Sequence, residues 1–172
     1  ATGFVEFTNE SNYEQDQINL QYSLFISRTE FVKNKICQHI SLPISKGVDA
    51  ADGRFERFLG VVGADVTAYE GDLTSFIGSY RTYSNPIGIE NGCQNKLNYN
   101  SNSCGALQSD VTLNPGESVT LTYILGGKAP KESEEILSAY ETNKNKVAED
   151  LNELKTFWHT ELQNFEVETP DD

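Results

Sequence analysis

The chain holds two histidines, His39 and His159, far apart and on different segments. Neither falls in a metal-ligating spacing, so each reads as a structural or surface residue. A Ser-His-Asp arrangement finds no local support, because no nucleophile elbow is present. Carboxylates are plentiful: Glu14 with Asp16, Asp49 with Asp52, and Asp65 with Glu70 are pairs of the kind that act as acids or bind sugar hydroxyls. With 26 Asp and Glu against 13 Lys and Arg, surface acidity accounts for most of them. The run Asp52-Gly53-Arg54-Phe55-Glu56-Arg57 differs in its company. Two guanidinium forks stand there among carboxylates, each able to grip a carboxylate or a phosphate at two points. A structural ion-pair network is the expectation for it. Gly126-Gly127-Lys128 misses the first glycine and the hydroxyl residue of a phosphate-cradling loop, and reads as a strand-to-helix connection. Tyr69, Tyr80, Tyr83 and Tyr99, with Asn98, Asn100 and Asn102, are the types that stack on pyranose faces and reach hydroxyls, and equally the types of ordinary loops.

The cysteines, Cys37, Cys93 and Cys104, form no C-x-x-C pair. An odd count with wide spacing argues against a disulfide framework and against zinc. Cys93 and Cys104 span a loop that a bridge would close in an oxidising compartment; reduced thiols in a cytoplasmic protein are the expectation. The formal net charge of −13 excludes nucleic acid as a natural partner, since phosphate binding needs clustered Lys and Arg. No basic amphipathic segment suits an anionic membrane surface, and no apolar run is long enough to span a bilayer. Ala1-Thr2-Gly3 does not open a signal peptide.

The elements that must position these residues are read from periodicity. Phe4 to Phe7 predicts a short strand. Leu20 to Arg28 and Lys35 to Leu42 alternate loosely, with a turn expected over Phe31 to Asn34. Phe55 to Ala64 carries the apolar run Phe58-Leu59-Gly60-Val61-Val62, short enough for a buried strand. Leu107, Val111 and Leu113 precede Asn114-Pro115-Gly116-Glu117, and Val119, Leu121, Tyr123 and Leu125 follow. Pro fixing φ and Gly accepting φ > 0 is type II turn chemistry, and a hairpin is expected there. Between these strands, 64–105 reads as a long polar connection. In it Asp72 caps a short helix through Leu73, Phe76 and Ile77 that stops at Gly78. From Pro130 the period becomes helical, with Ile136, Leu137 and Tyr140 in one stripe. A second helix, capped at Asn143, carries Val147, Leu151, Leu154, Trp158, Leu162 and Phe165 at spacings of three and four. That stripe calls for an apolar partner surface. The abrupt opening strand, the extended end and the lack of methionine read as a piece cut or processed from a longer protein.

Taken in order, several strings resemble one family. They are Phe4-Val5-Glu6-Phe7-Thr8-Asn9 leading to Asn12 through Tyr22, Gly53 through Gly60, Phe76-Ile77-Gly78-Ser79-Tyr80-Arg81-Thr82-Tyr83-Ser84-Asn85-Pro86, Leu97 through Leu107, and Trp158 through Asp171. They are similar to the N-terminal sandwich and linker of glycoside hydrolase family 94, formerly a glycosyltransferase family, over essentially the whole chain. The likeness leans toward the cellodextrin and laminaribiose phosphorylases rather than cellobiose phosphorylase.

The resemblance implies a mainly β fold: an antiparallel β-sandwich of the galactose-mutarotase-like supersandwich type, or its C-terminal part, over 1–128, and a helical linker over 129–172. It implies carbohydrate metabolism in the cytoplasm and inverting phosphorolysis by the parent protein. Inorganic phosphate would be co-substrate and nucleophile, an Asp the general acid, and no cofactor would be needed. The acid lies in a helical barrel after the linker, so no catalytic residue carries over to this chain. The expected partners are that barrel, a second copy in a homodimer, and a β-glucan oligosaccharide. Arg54, Arg81, Tyr99 and Asn100, which lie in the matching segments, are the candidate substrate-binding residues. Two other readings of the same composition are a stand-alone carbohydrate-binding module and a structural adhesion-type sandwich.

Overall fold

The computed structural model describes residues 1–8, 27–40, 56–99 and 101–163. Within them the chain forms, in order, β1 (Thr2–Glu6), β2 (Ser27–Val32), β3 (Lys35–Ile40), β4 (Glu56–Val62), β5 (Ala68–Asp72), α1 (Leu73–Ile77), α2 (Ile87–Glu90), β6 (Ser103–Gln108), β7 (Thr122–Lys128), α3 (Pro130–Thr142) and α4 (Lys146–Leu162). The expected strand from Leu20 lies mostly outside the described residues. The chain divides into two compact units, the first Ala1–Leu137 and the second starting at Ser138.

The first unit is a pair of antiparallel sheets, ordered β1-β6-β5 and β2-β3-β4-β7. Alternation along β6 explains how they meet. Gly105 and Leu107 point one way, into a core shared with Phe7, Ile36, Leu59 and Val61, so both sheets contribute to it. Cys104 and Ala106 point the other way, against Leu73 and Phe76 of α1 and against Cys93. As the middle strand, β6 is thus buried on both faces. A Cβ at Gly105 would stand 2.9 Å from the Phe7 ring and 3.0 Å from Ile36, so only glycine lets the strands approach this closely. In β4, Leu59 and Val61 face the core, while Glu56, Phe58 and Gly60 lie on the opposite face, where Glu56 and Phe58 are also buried. Gly60 leaves the room that Leu137 of α3 occupies.

Three expectations for the first unit are corrected. Lys33 (φ 57) and Asn34 make the β2–β3 turn, whereas Phe31 and Val32 remain in the ladder opposite Ile36 and Lys35. The turn at Asn114–Glu117 forms, with Gly116 at φ 86 and Glu117 N–H donating to Asn114 C=O at 3.0 Å, yet no hairpin surrounds it. Both edges of β6 are taken by β1 and β5, and β7 pairs with β4, so the turn links two sheets. The polar stretch 64–105 contains β5, whose residues pair with β6 through a bulge between Glu70 and Asp72.

In the second unit, Tyr140 donates its hydroxyl to Asp150 Oδ2 at 2.5 Å and Lys146 pairs with Asp150. The cap of α4 is Asn145 rather than Asn143. Asn143 instead accepts the Asn145 N–H at 2.9 Å and donates to Glu149, bracing the turn before the helix. Val147, Leu151, Leu154, Trp158 and Leu162 form the expected stripe, about half exposed in each case. Phe165 lies outside the described residues. No helix among the described residues is long and apolar enough to cross a membrane.

Candidate functional site

The path from β5 into α1 shapes a groove. Asp72 leaves the strand in an extended conformation, and its Oδ1 accepts the Ser75 N–H at 2.7 Å, capping α1 as its position in the sequence predicts. Its Oδ2 accepts the Ser101 hydroxyl. The helix ends at Gly78, φ 86, again as expected. With Leu73 and Phe76 buried, Thr74 and Ser75 remain on the outer side. Facing them runs the segment after α2. It is fastened to β5 by Gly71 N–H to Lys96 C=O at 2.7 Å, Asn95 N–H to Tyr69 C=O at 2.9 Å and Gln94 N–H to Glu70 Oε2 at 2.8 Å. Two adjoining cavities of about 390 and 420 Å³ lie between these walls, and Thr74, Ser75 and Lys96 line both. One continues to Leu97 and the other to Asn91 and Gln94.

The sugar-type residues separate by burial. Asn98 is 1% exposed and is scaffolding. Its N–H donates to Thr29 Oγ1 at 2.6 Å, its Nδ2 to Ser103 Oγ at 2.5 Å, and its Oδ1 accepts the Ser101 N–H at 2.8 Å. Tyr69 stacks on Phe31 with centroids 4.1 Å apart. Tyr83 donates to Glu6 Oε2 at 2.7 Å, and Tyr80 is wholly exposed at φ 61. Tyr99 is 64% exposed, with the Arg28 guanidinium 4.3 Å over its ring. Of the residues named from the sequence, Tyr99 stands two residues beyond Leu97 of the groove. Arg81 is tied into the α1–α2 loop through Glu90 and the Asn85 carbonyl. Arg54 and Asn100 lie outside the described residues. Thr74, Ser75, Gln94, Lys96 and Arg28 belong to no motif in the sequence. The alternation Leu97-Asn98-Tyr99 was the available signal for an extended wall.

A second polar group is sealed inside the first unit. Lys35 Nζ donates to Glu56 Oε1 at 2.5 Å and to Ser133 Oγ at 2.6 Å, and the Ser133 hydroxyl donates to Glu56 Oε1 at 2.5 Å. Lys35 and Glu56 are 3% and 2% exposed. His39 places Nδ1 3.9 Å from Glu56 and Nε2 3.2 Å from Glu30, the structural role expected of it. Burial alone would raise the Glu56 carboxyl. Hydrogen bonds from Lys35 and Ser133, with the charges of Lys35 and His39, outweigh it and leave the pKa below the usual value. For Glu70 burial prevails over the hydrogen bonds from the Gln94 N–H and the Ser75 side chain and over the field of Lys96, and the pKa is raised. Its Oε1 has no hydrogen-bond partner among the described residues. Burial also pushes the thiols up, to about 12 for Cys37 and about 11 for Cys93, and higher still for Cys104. All three cysteines are free and buried.

Chemically, the groove presents hydroxyls, amides and one ammonium to solvent, while both shifted carboxylates are closed off from it. Residues 1–143 match the family model described as the glycosyl hydrolase 94 supersandwich domain. The N,N'-diacetylchitobiose phosphorylase of Vibrio furnissii is 32% identical over 177 residues, 99% of this chain and 20% of that protein. The same-named protein of Vibrio proteolyticus is 31% identical over 173 residues, again 99% and 20%. The 3-O-beta-D-glucopyranosyl-beta-D-glucuronide phosphorylase of Paenibacillus borealis is 32% identical over 107 residues, 61% of the chain and 14% of the relative. The chain spans about a fifth of the length of the two Vibrio relatives.

Proposed function

The chain belongs to the glycosyl hydrolase 94 family as its supersandwich domain, and from that premise we propose that it is the non-catalytic, carbohydrate-associated part of an inverting phosphorylase of β-linked oligosaccharides. The observation that carries this reading is the alignment of 99% of the chain with two proteins named as phosphorylases. The chemistry belongs to a catalytic helical barrel elsewhere in the longer polypeptide. A phosphate oxygen attacks the anomeric carbon, the bond from that carbon to the glycosidic oxygen breaks, and an Asp of the barrel gives its proton to the departing oxygen. Phosphate is the nucleophile, so no protein base is required. The sealed state of Glu56 and Glu70 supports a non-catalytic role, since neither carboxylate is open to solvent. The sandwich packs on the barrel and helps form a homodimer in the cytoplasm, and Arg54, Arg81, Tyr99 and Asn100 are its candidate substrate-binding residues.

The ordered motifs favour a β-glucan oligosaccharide and glucosyl transfer. A second reading, N-acetylglucosaminyl transfer, is favoured by the substrate in the names of the Vibrio relatives. Phosphate release separates them: α-glucose 1-phosphate and α-N-acetylglucosamine 1-phosphate are offered as donors, with glucose, cellobiose and N-acetylglucosamine as acceptors. The longer polypeptide is expected to release phosphate from the glucosyl donor. Release from the other donor alone selects the second reading, and release from neither overturns both.

A further inference from the structure

The groove beside α1 has the features of a receptor for a neutral, hydroxyl-rich ring. Its walls supply short donors and acceptors, the Thr74 and Ser75 hydroxyls and the Asn91 and Gln94 amides. The charge there is already balanced. Glu70 lies behind Lys96, close enough for that lysine to pull its pKa down against burial, and both oxygens of Asp72 are engaged by Ser75 and Ser101. An incoming ligand therefore needs no charge of its own. The walls are also held before any ligand arrives, by the backbone bonds from Gly71 to Lys96 and from Asn95 to Tyr69, which limits the ordering cost of binding.

One edge of the groove is apolar. Leu97 lines it and is 42% exposed, and Tyr99, two residues on past the buried Asn98, is 64% exposed. Arg28 braces the Tyr99 ring and leaves much of it open to solvent. Behind the opposite wall the buried Glu70 accepts the Gln94 N–H at 2.8 Å, which fixes that part of the groove. The cavity volumes, about 390 and 420 Å³, fall in the range of small-ligand sites.

We propose that this groove is a saccharide-binding site of the supersandwich itself, with one sugar ring against Leu97 and Tyr99 and its hydroxyls on Thr74, Ser75, Gln94 and Lys96. The site goes beyond the phosphorylase reading, because it involves no sugar phosphate and no catalytic acid.

The test is an amide NMR titration of the 172-residue chain with cellobiose and with N,N'-diacetylchitobiose, using glycerol at matched hydroxyl concentration as the polyol control. Saturable shifts are expected at Thr74, Ser75, Gln94, Lys96 and Tyr99 for at least one disaccharide. Affinity should fall about fivefold in Tyr99→Ala, the size of a lost aromatic contact, and fall in Gln94→Ala. Lys131→Ala, exposed in the first turn of α3, should bind like the parent chain. Each variant's amide dispersion reports whether it has folded. Absence of saturation with both disaccharides overturns the proposal, as does an equal drift with glycerol or saturation that both groove variants leave intact. Binding here without sugar-phosphate turnover by the longer polypeptide sinks the phosphorylase reading alone; turnover without binding sinks this one alone.

Discussion

Lys35, Glu56 and Ser133 meet under the first turn of α3, all nearly inaccessible to water, whereas Lys96, Glu70 and Ser75 gather where β5 passes into α1, and there the lysine is exposed. The residue types are the same in both places. In the sealed group the ammonium and the hydroxyl bond to their neighbours at 2.5 or 2.6 Å, and the mutual bonds offset the desolvation of two charges. In the open group the carboxylate is buried but incompletely partnered, and the ammonium stays in solvent. A lysine, a glutamate and a serine thus make a clasp where burial completes their hydrogen bonds. They make a wall of a binding groove where it does not.

The largest test of that contrast is Lys35→Met. It strands the Glu56 carboxylate in the interior and should cost about 3 kcal/mol or more in chemical denaturation. Lys96→Met, at the exposed wall, should stay within about 0.5 kcal/mol. Equal costs would break the comparison. Replacing Lys35 and Glu56 together by Met and Leu should recover much of the loss, since no charge is then left unpaired.

A second test uses pH. The folded pKa of Glu56 is depressed, so the stability it adds is present above its unfolded pKa and is lost as pH falls through the folded value. That of Glu70 is raised, so its contribution is present below the unfolded pKa and is lost as pH rises through the folded value. Near neutral pH, Glu56→Gln should therefore destabilise the chain and Glu70→Gln should stabilise it. Melting curves from acid to neutral pH would show the two variants diverging from the parent in opposite directions; divergence in the same direction contradicts the assignment.

Smaller is the effect of Asp72→Ala. Losing the cap of α1 should cost about 1 kcal/mol and loosen the groove wall together with the helix. A matching loss of hydrogen-exchange protection at Ser75, with none at Lys35, would sharpen the distinction between the regions. The smallest expected signal is at the cysteines. With burial raising Cys37 to about 12 and Cys93 to about 11, a thiol reagent at pH 8 should modify neither until the chain opens. Labelling that keeps pace with unfolding supports this, and immediate labelling contradicts it.

What the sequence made legible follows how local each feature is. The Asp72 cap, the Gly78 stop and the start of α3 at Pro130 depend on a few consecutive residues, and the structure contains all three. The turn at 114–117 was equally local and it formed, but whether its arms pair depends on which strand edges remain free, and β6 had none. Strand β5, Ala68-Tyr69-Glu70-Gly71-Asp72, is not legible in the sequence, because its charged and glycine residues are buried by pairing with β6 and by the adjacent helix rather than by their own polarity. The groove follows the same rule. Tyr99 could be picked out by type, while Thr74, Ser75, Gln94 and Lys96 become neighbours only once β5 and the 94–99 segment lie side by side.

The most direct test of the account is phosphorus NMR of a reaction holding inorganic phosphate and a β-linked disaccharide, run with this chain and with the longer polypeptide. The account predicts an α-configured sugar 1-phosphate with the longer polypeptide and none with the 172-residue chain. Sugar phosphate formed by the chain alone, or by neither protein with cellobiose, laminaribiose and N,N'-diacetylchitobiose, would contradict it.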